Sequence, residues 1–203
     1  MVKIMPQKSL DLVFLIDRSG SMYGSEEDTI GGFNSFIKNE KSKEGNVSVT
    51  TILFDHKYEV LYKRKPIHNV SDLTPNEYYV RGSTALLDAI GRTITTLDKE
   101  ISNQVLFVIM TDGKENASVE FSKSQVKSMI DNHDWEFLFI GADIDSYSEA
   151  GSIGIKKSRV ANYRKSKEGI KNLYSSVECV TNCMRNDMSL DEVNWKKDLE
   201  EYD

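Results

Sequence analysis

Cysteine is scarce in this 203-residue chain. The two present, Cys179 and Cys183, are too few for a disulfide framework, and a lone C-x3-C without a nearby histidine is a poor zinc pattern. Two free thiols on one side of a helix is the reading that remains, and a reducing cytoplasm fits it. Basic residues are also short: 26 Lys plus Arg against 32 Asp plus Glu leave a formal net charge of −6. That argues against a nucleic-acid or membrane-surface binder, which carries a basic excess. No apolar stretch approaches the length of a bilayer span, and residues 1–9 lack the continuous apolar region of a secretion signal. A soluble, cytoplasmic protein is therefore expected. His56, His68 and His133 are scattered, without an evident catalytic partner. There is no G-x-x-x-x-G-K-[ST] loop and no G-x-G-x-x-G after the first apolar run, so nucleotide binding is disfavoured.

What is present is enough apolar side chain for a core: 39% hydrophobic and 9% aromatic. Residues 10–16, 105–110 and 135–141 are short, nearly unbroken apolar runs rich in β-formers, the mark of strands covered on both faces. A weaker last strand is expected in residues 153–160. Helical spacing joins Ile30, Phe33 and Ile37, then Leu86 or Leu87, Ile90, Ile94 and Leu97, then Val126, Met129 and Ile130. Ile170, Leu173, Val177, Val180 and Met184 continue it late in the chain. Strands alternating with helices imply a doubly wound α/β fold with a mostly parallel sheet and helices on both faces. Residues 47–55 and 57–65 break the alternation as a hairpin, which supplies one antiparallel edge strand. The expected organisation is an N-terminal lead at 1–9, a single domain over 10–186, and an acidic tail or short helix at 187–203 that frays.

Ligands of open parallel sheets sit at the carboxyl ends of the strands. There the first run ends in Asp17-Arg18-Ser19-Gly20-Ser21, the run ending at Met110 leads into Thr111-Asp112-Gly113, and Gly82-Ser83-Thr84 opens a helix. Two carboxylates and three hydroxyls facing one point make an all-oxygen set, which suits a hard divalent cation such as Mg²⁺ better than zinc. If Ser19, Ser21 and Thr84 bind directly while Asp17 and Asp112 act partly through water, the cation stays under-neutralised and seeks a Glu or Asp carboxylate of a partner protein. Arg18, Arg81 and Lys114 are expected to add positive potential at the rim.

These three motifs, in this order and on these elements, resemble the metal-ion-dependent adhesion site of von Willebrand factor type A domains. The resemblance runs from about residue 10 to 160. It implies a domain that binds Mg²⁺, sometimes Mn²⁺ or Ca²⁺, and uses it to hold another protein. By position, Ser19, Ser21 and Thr84 would be direct ligands, with Asp17 and Asp112 direct or water-mediated. The missing secretion signal and Arg18 in the variable slot are similar to intracellular bacterial members. Glu115, three residues past Asp112, is a carboxylate able to approach the ion in another loop state.

Two rival functions are a Mg²⁺-dependent hydrolase or phosphoryl-transfer enzyme using Asp17, and a scaffold whose metal only stiffens loops. The enzyme is disfavoured because Ser19 stands where a second carboxylate would be wanted. Asp143-Ile144-Asp145-Ser146 reads as a helix cap more than as a second cation loop. The sequence does not set the oligomeric state.

Overall fold

Successive side chains of a strand point to opposite faces, so an uninterrupted apolar run needs cover on both sides. The computed structural model, which describes residues 9–200, meets that need. The expected lead, Ser9 excepted, and residues 201–203 of the expected tail lie outside the described residues. Six strands, β1 (Leu10–Asp17), β2 (Val47–Phe54), β3 (Tyr58–Pro66), β4 (Gln104–Thr111), β5 (Glu136–Gly141) and β6 (Val160–Asn162), form one sheet in the order β3-β2-β1-β4-β5-β6. All pairings are parallel except β2 with β3. The expected hairpin is therefore present, and β3 is the antiparallel edge, with residues only half-buried or exposed.

β1 divides its side chains between two apolar clusters. Leu12, Phe14 and Ile16 enter one, together with Phe33 and Phe36 of α1 (Glu26–Lys41). Val13 and Leu15 enter the other, with Ile90 and Ile94 of α2 (Leu86–Leu97), Val126 of α3 (Lys123–Asp131) and Ala150 of α4 (Ser146–Ser152). The first cluster is closed by α5 (Lys167–Arg185), whose three-four spacing buries Ile170, Leu173, Val177, Val180 and Met184. Cys179 and Cys183 lie one turn apart on α5 as free thiols.

One expectation gives way. Residues 153–155 are not a strand: Ile153 caps α4, Gly154 turns the chain at φ 90°, and Ile155 packs into the second cluster, so the last strand is only β6. The acidic last stretch is anchored where described. Leu190, Trp195 and Leu199 are buried, the last on α6 (Lys197–Glu200), and Trp195 Nε1 donates to the Ser158 carbonyl at 3.0 Å. Three buried anchors hold it, while Met188 stays exposed. Among the described residues no helix is long and apolar enough to cross a membrane.

Phe14 meets Phe33 and Phe36 edge-on at 5.7 and 5.3 Å. Phe14→Ala is expected to cost about 3–5 kcal/mol by urea denaturation; a loss below about 1 kcal/mol would contradict this packing.

Candidate metal centre

The strand order reverses direction at β1, whose neighbours are β2 and β4, and the crevice outside their carboxyl ends is where ligands of such sheets bind. Ile16 pairs with Met110 in parallel register, so the next residues, Asp17 and Thr111, emerge side by side. Thr111 Oγ1 donates to Asp17 Oδ2 at 2.6 Å, and the Ser19 backbone N–H donates to Asp17 Oδ1 at 2.6 Å. Ser19 Oγ accepts from Thr84 Oγ1 at 2.9 Å and lies 3.0 Å from Ser21 Oγ, which donates to Asp112 Oδ1 at 2.5 Å. All five expected site residues thus stand in one connected chain of contacts. Asp17, Ser19, Thr84 and Asp112 are buried, and Ser21 opens to solvent.

Backbone contacts hold the three loops together. Gly20 N–H donates to the Gly82 carbonyl at 2.9 Å, and Tyr78 Oη donates to the Asp17 carbonyl at 2.7 Å. Asn116 Oδ1 accepts from the Thr84 N–H at 2.9 Å while its own N–H donates to the Thr84 carbonyl at 3.0 Å. Glu115 does not face the hydroxyls. Its carboxylate accepts from the N–H groups of Leu87, Ala117 and Ser118, capping the start of α2 where unpaired amides favour an anion. Asp145 is the N-cap of α4, accepting from Ser148 N–H at 3.0 Å. The sequence reading missed Thr111 as a contact of Asp17, and also Asn116 and Lys165. Thr111 alone had a signal, a hydroxyl closing an apolar strand.

Charge is distributed unevenly. Among the fully buried carboxylates, Asp11 pairs with Arg64 at 2.9 Å, Glu40 with Arg185 at 2.6 Å, and Asp55 with Arg18 at 3.0 Å and Arg81 at 2.8 Å. Asp17 receives only neutral donors among the described residues. Burial raises its pKa to about 6, against the lowering by those hydrogen bonds, and the nearby charge of Asp112 adds to the rise. Asp112 itself meets a cation: Lys165 Nζ stands 2.8 Å from Oδ2, off the hydrogen-bonding direction, so the contact is ionic. Burial pulls the Lys165 pKa down, but Asp112 and Asp143 outweigh it and raise it.

Arg18 corrects the expected rim. With 0% of its side chain exposed it turns inward, donating to Asp55, to Glu59 at 2.7 Å and to the Glu77 carbonyl at 3.1 Å. Arg81 is drawn to the same Asp55, and Lys114 alone of the three is exposed. Burial pushes the Asp55 carboxyl up, yet Arg81, the Lys57 amide and Arg18 together hold it below its usual value.

The donor set fits a hard cation. Among the described residues no group of three or more His, Cys, Asp or Glu is arranged for a metal; the candidate set is of two carboxylates and three hydroxyls, all hard oxygen donors. A Cβ placed on Gly113 would lie 2.5 Å from Thr84 Oγ1, 3.0 Å from Ser21 Oγ and 3.3 Å from Ser19 Oγ, so the three hydroxyls converge on one small space that glycine leaves open. The depression outside them is shallow, about 350 Å³, and open to a protruding side chain. A larger one, about 750 Å³, lies at the opposite end of the strands beside Val105 and Glu136, away from these loops.

The family model of the von Willebrand factor type A domain matches residues 11–176. No curated protein matches the chain in sequence. Among solved structures, proximal thread matrix protein 1 from the mussel byssus is similar with a TM-score of 0.61 and 17% identity, over 86% of this chain and 46% of that one. The PilB minor pilin of Streptococcus sanguinis gives 0.67 and 12%, over 92% and 63%. Manganese-loaded TRAP protein of Plasmodium vivax gives 0.57 and 17%, over 78% and 69%. The chain thus spans about half of the mussel protein and under two thirds of the pilin. At these identities the structural likeness concerns the fold.

Two measurements follow from the charges. The Asp17 pKa rises from 3.8 unfolded to about 6 folded, so folding favours the neutral acid. That contribution is complete below the unfolded value and lost as pH rises through about 6. In chelator-treated protein Asp17→Asn should raise stability at pH 7 by up to about 3 kcal/mol, read as a rise in Tm of several degrees, with the gain shrinking toward pH 4. A lower Tm at pH 7 would contradict the uncompensated charge. Asp55→Ala instead strands buried Arg18 and is expected to cost about 3–5 kcal/mol in denaturant unfolding.

Proposed function

We propose that this chain, which belongs to the von Willebrand factor type A domain family, is a divalent-metal-dependent protein-binding module that captures an acidic side chain of a partner. The observation that carries this reading is Asp17: a fully buried carboxylate served, among the described residues, by neutral donors only, at the head of three convergent hydroxyls. Ser19, Ser21 and Thr84 would hold the ion, with Asp17 and Asp112 direct or through water. Mg²⁺ suits this set first, with Mn²⁺ and Ca²⁺ as the alternatives. When bound, the ion supplies a Lewis-acidic position for an outside carboxylate.

The chain's own part is orientation. Thr111 and the Ser19 amide fix the Asp17 carboxylate, Asn116 fixes the Thr84 backbone, and exposed Ser21 marks the side from which a partner approaches. Hydroxyl ligands carry no charge, so a partner's Glu or Asp completes the neutralisation. The manganese-loaded TRAP protein of similar fold is in keeping with a metal at this position.

The two rivals are weaker. A nucleophilic Asp17 would have to reach a substrate atom, whereas its side chain is buried beneath the hydroxyls. A merely stiffening metal would be redundant where Asn116, Glu115 and Gly82 already tie the loops by accepting from backbone N–H groups.

Isothermal titration of chelator-treated protein with Mg²⁺ should show one site, abolished by Asp112→Ala. Capture of partner protein from lysate should require Mg²⁺ and fail with EDTA. Capture that survives EDTA, or metal-dependent turnover of phosphate esters, would overturn the reading.

A further inference from the structure

We propose that Lys165 is a built-in competitor of the cation: its ammonium shares Asp112 with the metal position, sets how tightly the ion is held, and passes to Asp143 when it yields. The inference rests on the metal reading above and concerns a residue outside the ligand set. Lys165 belongs to the segment between β6 and α5. Its Nζ donates to the Ser21 carbonyl at 2.5 Å, stands 2.8 Å from Asp112 Oδ2 and lies 3.7 Å from Asp143 Oδ2. The side chain is only 23% exposed, so it is seated on the site and not merely passing over it.

Asp112 divides its two oxygens. Oδ1 accepts from Ser21 Oγ, and Oδ2 faces the ammonium. A divalent ion drawn to the same carboxylate meets a positive charge held beside it by the Ser21 carbonyl of the neighbouring loop. In a partly buried setting two such charges repel by more than water would allow. Lysine's flexible four-carbon stem permits retreat, and the destination is adjacent. Asp143 is exposed, at a left-handed backbone position with φ 54°, and already within ion-pair distance. Retreat therefore exchanges one carboxylate for another without rebuilding the segment.

The test is isothermal titration of Mg²⁺ into chelator-treated full chain, with Mn²⁺ counted independently by electron paramagnetic resonance. Lys165→Met and Lys165→Gln should each tighten Mg²⁺ binding about tenfold, and Lys165→Arg should stay within about threefold of the parent. Asp143→Asn, which removes the receiving charge, should weaken binding about threefold. High salt should shrink the differences. Equal or weaker binding by both neutral variants, with the parent still binding, would overturn the competitor and leave the metal site standing. No binding by the parent or the variants in either measurement would overturn both.

Discussion

The site depends on one hydrogen bond, that from the Thr111 hydroxyl to the buried Asp17 carboxylate. It joins the ends of two central parallel strands whose register, Ile16 beside Met110, leaves those two residues adjacent. Once Asp17 is fixed, the Ser19 amide folds onto its other oxygen and aims the Ser19 hydroxyl at Thr84 and Ser21. The loops differ in sequence position by almost a hundred residues, yet the oxygens share one frame because the sheet sets their starting points. A parallel ladder has no freedom to slip here, since a one-residue shift would turn Leu12, Phe14 and Ile16 out of their cluster.

Most of this frame was legible beforehand. The apolar runs of β1, β4 and β5 needed cover on both faces, the hairpin had the alternation of an edge, and Asp17, Ser19, Ser21, Thr84 and Asp112 followed from motif spacing and came together. Short elements were less legible. Ile153-Gly154-Ile155 has strand composition, but Gly154 in the left-handed region and the end of α4 turn it into a corner. Val160 to Asn162 is too short for any period to show. Side-chain direction at loop positions was illegible for a different reason, because it is set by partners distant in sequence.

Arg18 illustrates that point. Lying between Asp17 and Ser19, it looks like a rim cation, yet strand alternation points it away from the hydroxyls and into Asp55, Glu59 and the Glu77 carbonyl. Arg81 joins the same carboxylate and shares the Tyr79 ring with Arg18 at 5.2 and 5.3 Å. This buried network ties the β2–β3 turn to the loop that carries Thr84, since the Ala85 amide also donates to the Asp55 carbonyl. Two positive charges that could have repelled a metal are thereby spent on structure. The charge that does reach the site, Lys165, comes from the far end of the sheet, where no motif announces it.

β1 makes the underlying logic visible by carrying a carboxylate at each end. Asp11 and Asp17 are both buried. Asp11 is closed off by the Arg64 guanidinium and Asn103, a complete solution that leaves nothing for a ligand. Asp17 has two neutral donors and an elevated pKa, an incomplete solution that the fold tolerates because the apolar residues between the two carboxylates stabilise the strand regardless. Burying a charge without a cation is costly, and Asp17 answers that cost with a raised pKa, where the proposed ion would answer it with charge. The same strand therefore separates a structural end from a chemical end by the identity of its partners. That separation would let the proposed ion come and go without disturbing the core beneath it.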